Sequence, residues 1–217
     1  MQFMEALKNG NIEAIRQCPK ADLHNHFVLG GSRKYLLEHS GRDIRPITKP
    51  LNSMDEMHAW NTENIGDFFD TPEGRRMLIN ATFIQAKEDG VSILEIGEDV
   101  WGLGTFFNNN IDDLVDAFET AHREIAPEIE LRLQIGMSRH CDIAYLKECL
   151  SHFWGCRAFY SIDLYGYELA QPIEIFIPIY RRAKAEGLRL KAHVGEWGTA
   201  EELNDIRING LKPVYII

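Results

Sequence analysis

Six short apolar runs rich in β-branched residues are spaced along the chain, at 20–25, 91–96 (VSILEI), 129–136, 158–164, 188–193 and 212–217, with helical patterns between them. Strands that alternate with helices build βα units, and βα units build a parallel sheet. The helix over 72–89 opens on Thr71 as N-cap with Pro72 at its first position, and stops at Gly90. The next, over 111–126, has Asn110 as cap and places Asp112 and Asp113 in its first turn, where the helix dipole favours acids. Further helices are expected over 142–153, 172–186 and 199–208. An insert at 41–70 separates the first strand from the second and is expected to lie over one end of the sheet. No repeat, low-complexity tract or linker divides residues 1–217, so a single domain is expected. Six parallel strands fit an open doubly wound sheet or part of a (β/α)8 barrel. The glycine-rich phosphate turn of dinucleotide-binding open sheets is missing after the first strand. Histidines occupy that turn instead, which suits a barrel, whose active sites gather at the strand C-termini.

Composition narrows the partners. The 217 residues are 45% hydrophobic and 26% charged, with a formal net charge of −10. That excess of acid argues against nucleic acid or anionic membrane, because phosphate surfaces select basic proteins. Cys18, Cys141, Cys149 and Cys156 show no Cys-x-x-Cys spacing and read as reduced, mostly buried thiols of a cytoplasmic protein. The opening MQFMEALKNG carries an acid and no long apolar stretch, unlike a signal peptide. No run reaches the roughly 20 apolar residues of a membrane span.

The stretch KADLHNHFVLGGS, at 20–32, sets His24 and His26 two residues apart at a strand end. In a strand, such positions face the same side. A third imidazole, His193, ends the fifth strand in LRLKAHVGEWGTAEEL, and Glu196 follows it. In a barrel all strand C-termini open onto one pocket, so the three histidines can converge. Three imidazoles with one open position form a catalytic zinc arrangement. The ion would lower the pKa of bound water, and Glu196 stands where a carboxyl could pass protons. Strand-end histidines that merely cap backbone carbonyls are the competing reading of each one singly.

The segments PKADLHNH, SIDLYGYE and AHVGEWGTAEE resemble the first-, fourth- and fifth-strand motifs of the adenosine deaminase family, within the amidohydrolase superfamily, in the same order. The resemblance implies an α/β fold, a (β/α)8 TIM barrel of which about the first six strands are present. It implies one zinc ion held by His24, His26 and His193, with Glu196 protonating the purine ring nitrogen beside the attacked carbon. It also implies that the Gly166 backbone N–H holds another ring nitrogen. The activity implied is hydrolytic deamination of an adenosine-like aminopurine nucleoside or base, with ammonia released by attack of metal-bound hydroxide. The insert around SMDEMHAWNTENIGDFF matches the helices that cover the nucleoside in that family, although Trp60, Phe68 and Phe69 equally suit ordinary packing.

Two departures stand out. The family carries a sugar-binding acid two residues after the second histidine, and here that residue is Val28. The family's next catalytic histidine, after strand six, and its aspartate ligand, after strand eight, have no counterpart before Ile217, so a chain truncated within the sixth strand is expected. Its open edges are expected to pair with another copy or with a missing C-terminal segment. The alternatives are an amidohydrolase with another substrate and a catalytically incomplete fragment or binding module. Glu95, Glu98 and Asp99 at the end of the second strand read as a solvated charge cluster, with an acid facing the pocket as the alternative, and Arg139 and His140 resemble a family Arg-His pair of structural use. Asp163 is a candidate to orient pocket groups, against the default of an acid bonded to backbone. His39, His58, His122 and His152 lack partners at ligand spacing.

Overall fold

The computed structural model describes residues 3–196 and 215–216. Its strands are β1 (Lys20–His26), β2 (Val91–Asp99), β3 (Glu130–Ser138), β4 (Phe159–Tyr165), β5 (Arg189–Ala192) and β6 (Tyr215–Ile216). They form one sheet, all parallel, in the order β1-β2-β3-β4-β5-β6. The sheet curls: residues on β1 and just past β5 touch, although three strands lie between them. This is the sequential, closing arrangement of a (β/α)8 barrel, of which the chain supplies part.

The helices are α1 (Phe3–Lys8), α2 (Ile12–Arg16), α3 (Phe27–Gly30), α4 (Arg33–Ser40), α5 (Met54–Asn64), α6 (Gly66–Phe69), α7 (Pro72–Glu88), α8 (Val100–Phe107), α9 (Ile111–Ile125), α10 (Ile143–Ser151) and α11 (Ile177–Ala185). Capping residues act as the sequence indicates. Thr71 Oγ1 accepts the Gly74 N–H at 2.9 Å, and Asn110 Oδ1 accepts the Asp112 N–H at 3.1 Å. Helix α9 buries Leu114, Ala117, Phe118 and Ala121, a stripe at helical spacing, and packs against α7 and α8.

Several expectations are refined. The pattern at 172–186 splits into a 3-10 turn, Ile173–Phe176, and α11. The helix expected over 199–208 lies outside the described residues. Helix α8, VWGLGTFF, gave no amphipathic signal because it is apolar nearly all round and is buried at Val100, Gly102, Leu103, Phe106 and Phe107. The four cysteines are free thiols, half-buried rather than buried. Among the described residues, no helix is long and apolar enough to cross a membrane.

The insert bears α5 and α6. Its α5 brings the His58 ring to 5.9 Å from that of His140, just past β3, so this helix borders the C-terminal end of the sheet. Phe69 is fully buried in the core and Trp60 is partly buried against it, which makes packing their evident use.

Candidate metal centre

Strand β1 carries Asp22, Leu23, His24, Asn25 and His26, after which the chain turns directly into α3, so the two imidazoles stand at the strand's C-terminal end. His193 falls one residue past β5, where its backbone N–H still donates to Leu164 O of β4 at 2.9 Å. The sheet's curl then joins what the sequence separates. One potential ligand atom from each of His24, His26 and His193 lies within 4.8 Å of the others. The Nε2 atoms of His24 and His193 are 3.1 Å apart. Two nitrogens on one tetrahedral zinc, with bonds of about 2.05 Å, would be roughly 3.3 Å apart.

Carboxylates set the tautomers. Asp163, fully buried on β4, places Oδ2 at 2.7 Å from His24 Nδ1 and 3.7 Å from His193 Nε2. Glu196 Oε2 is 3.1 Å from His193 Nδ1, and that side chain is about half exposed. A carboxylate beside Nδ1 favours the proton there and frees Nε2 to bind a metal. The two Nε2 atoms, 3.1 Å apart, are spaced for one ion or for a shared proton, and with His26 beside them the residues fit a metal ion. Burial, reinforced by the His24 imidazole, pushes His26 down to about 3 and keeps it neutral, as a ligand must be. Burial alone would raise Asp163, but the neighbouring His193 and His24 imidazoles outweigh it and hold the carboxyl below its usual range. Burial draws His193 down, yet Asp163 and Glu196 prevail and raise it.

Around this centre Tyr165, the last residue of β4, stands with its ring 4.4 Å from that of His26 and 5.9 Å from that of His193. Gly166 follows with φ +90, a left-handed conformation that L side chains rarely adopt. A Cβ there would also meet His140 Nδ1 at 2.9 Å and Ser138 Oγ at 3.1 Å. Gly166 thus lets the backbone pass close to the β3 terminus. The acids of β2 are not a solvated cluster: Glu95 is fully buried in the sheet interior and Glu98 is 4% exposed. Burial pushes Glu98 up to about 7 and Asp99 up to about 6. Arg139 is buried, and its Nε donates to Gln171 O at 2.8 Å, in keeping with a structural part.

One polar residue escaped the sequence reading. Lys191, fully buried, lies one layer below His193. The signal was its spacing: two residues before a pocket-facing histidine on a strand is the same face.

No family model matches the chain. A putative adenosine/adenine deaminase of Treponema pallidum is 28% identical over 193 residues, covering 89% of this chain and 64% of that protein. An adenine deaminase of Rhodospirillum rubrum is 28% identical over 207 residues, covering 88% of this chain and 60% of that protein. The chain therefore spans about six-tenths of the length of the curated relatives it matches. Among solved structures, a zinc-bound amidohydrolase from Burkholderia ambifaria superposes with a TM-score of 0.68 at 19% identity, over 93% of this chain and 58% of that one. The N6-methyl-AMP deaminase of Arabidopsis thaliana gives 0.69 at 19% identity, over 94% and 65%. At such identities the structural likeness is one of fold, and that fold is the amidohydrolase-type (β/α)8 barrel. In sequence the chain is similar to proteins named adenosine/adenine deaminase and adenine deaminase, at 28% identity.

Proposed function

We propose that the protein is a metal-dependent hydrolytic deaminase of an aminopurine, with zinc as its ion. The observation that carries this reading is the convergence of His24, His26 and His193 on one point, with Glu196 beside it. In this reading His24, His26 and His193 hold the ion, and Asp163 orients His24. When bound, the ion supplies a Lewis acid that activates water near neutral pH. Glu196 delivers a proton to the ring nitrogen next to the carbon that loses ammonia. The Gly166 N–H donates to a second ring nitrogen and sets the ring's register. Helix α5 and the Tyr165 ring bound the pocket and limit water. In that family the water-orienting histidine follows strand six and the aspartate ligand follows strand eight, so turnover is measured on a full-length protein.

Val28, where the family has its sugar-binding acid, is packed against the core. No carboxylate is offered to a ribose hydroxyl at that point, which favours a free base over a nucleoside. The R. rubrum relative is named an adenine deaminase, in line with this preference. The test is metal analysis of the purified protein together with ammonia release from adenine and adenosine. Bound zinc and faster release from adenine are expected. Metal content unchanged by His24→Ala/His193→Ala would remove the site, and ammonia from neither purine in a full-length protein would remove the activity.

A further inference from the structure

Strand β1 is irregular just where its histidines begin. Asp22 pairs with Leu94 and Asn25 with Ile96, so three steps along β1 are matched by two along β2. The extra residue is taken up at Leu23–His24 as a bulge, a device that re-aims side chains and releases backbone groups from the ladder. Released groups need other partners. Asp22 Oδ1 accepts the His24 N–H at 3.3 Å, and Asp22 Oδ2 accepts from Asn25 Nδ2 at 2.7 Å. The Leu23 carbonyl accepts from Lys191 Nζ, which reaches it from β5 across the interior.

Lys191 is well partnered. Its Nζ donates to Leu23 O and Gln134 Oε1, pairs with Glu95 Oε1 at 3.2 Å, and lies 3.9 Å from Asp163 Oδ2. Glu95 also accepts from Ser161 Oγ, so one cation joins the backbone of β1 to side chains of β2, β3 and, through Glu95, β4. Barrel interiors are ordinarily filled with branched apolar residues. A buried ion pair is a weak source of stability compared with such packing. Placement of the bulge is what this pair supplies that an apolar layer could not, because an apolar side chain offers no donor to Leu23 O.

We propose that Lys191 and Asp22 are positioning residues that hold the β1 bulge and thereby aim His24 at the point where the three imidazoles meet. Lys191 acts on the carbonyl that precedes His24, and Asp22 acts on the amide of His24 itself. The proposal rests on the metal-centre reading for one of its two readouts only.

The experiment compares wild-type protein with Lys191→Met/Glu95→Gln, altered together so that no lone charge stays buried, and with Asp22→Ala and Asp22→Asn. Binding of Co2+ and its visible absorption spectrum are measured. The paired variant and Asp22→Ala are expected to bind Co2+ about 10–100-fold more weakly, with a changed spectrum. Asp22→Asn keeps an acceptor for the His24 N–H, and its new NH2 can donate to Asn25 Oδ1 once that amide turns over, so it is expected to stay close to wild type. Wild-type affinity and spectrum in the folded variants, with only a lower unfolding midpoint, would overturn the proposal. If the paired variant does not fold, the two Asp22 variants carry the same decision. Wild-type protein that takes up no Co2+ would count against the metal reading instead, and the bulge is then read without metal. The His24 Nδ1–H beside Asp163 is followed by NMR: a proton protected from exchange in wild type is expected to be exposed in the variants, and equal protection would overturn the proposal.

Discussion

Glu196 and Gly166 separate chemistry from backbone. Glu196 contacts His193 Nδ1 and stands at the rim, half exposed, so Glu196→Gln in an active full-length protein should lower turnover by about 100-fold or more and leave metal content intact. Steady-state rates and metal analysis on one preparation check this, and joint loss of both would assign Glu196 to metal binding. Gly166, at φ +90, has no such chemical side chain to lose. Gly166→Ala should cost at least about 1–2 kcal/mol in urea unfolding, the usual penalty of a left-handed backbone for an L side chain, with the close approach to His140 and Ser138 adding to it. The three histidines were legible because strands alternate faces, so a His-x-His pair and a strand-end histidine imply one pocket. Lys191 was not, because a lysine in an alternating strand looks like a solvent-facing residue until the opposite face is known to be covered.

The end of β2 carries a feature with a pH signature. Arg75 of α7 is 5% exposed, with its guanidinium 3.9 Å from the Phe106 ring centroid and its Nε 3.9 Å from Glu98 Oε2. Asp70, just before α7, lies 3.4 Å from the same guanidinium, and Trp101 Nε1 donates to Asp99 at 2.9 Å. Burial still dominates, so Glu98 and Asp99 titrate higher in the fold, near 7 and 6, than their ordinary 4.5 and 3.8. A carboxyl raised on folding contributes stability that is fully present below its unfolded pKa and lost as pH rises through the folded one. Over much of this range His26, held near 3, favours folding as pH rises, so the Glu98 contribution is read by difference: the urea midpoint of Glu98→Gln should rise relative to wild type between about pH 4.5 and pH 7. An unchanged slope in the variant would place the pH dependence elsewhere. At the same scale, α7 depends on its cap, and Thr71→Ala should cost about 1 kcal/mol by thermal or urea unfolding. Caps of this kind are local and readable, whereas α8 was not, since a helix buried on all sides carries no 3.6-residue contrast.

Across the whole molecule, the candidate metal centre spans the sheet's open curve. His24 and His26 belong to β1 and His193 to the end of β5, so an ion held by all three ties together strands that are not neighbours. Binding to the folded state alone stabilises by mass action, about 2.7 kcal/mol at a hundredfold excess over Kd. Zinc should thus raise the unfolding temperature and a chelator lower it, with no response in His24→Ala/His193→Ala. The outer edge of β1 has no partner strand among the described residues. A polypeptide of residues 1–217 is accordingly expected to self-associate in light scattering, since unpaired edges recruit strands. A monodisperse monomer would show that edge to be covered.

Local chemistry settled much of this protein in advance. Periods of two and of about 3.6 residues place strands and helices, and Thr71, Asn110 and Gly90 mark their ends, because capping and left-handed turns depend on near neighbours alone. Histidines at strand ends reveal the pocket for the same reason: alternation is a property of the single strand. Only the tertiary structure decided that the β2 acids turn inward, that Asp163 serves His24, and that Lys191 reaches the carbonyl before His24. Those outcomes depend on how far the sheet curls and on what faces each side chain across it, quantities set by contacts between residues far apart in the chain.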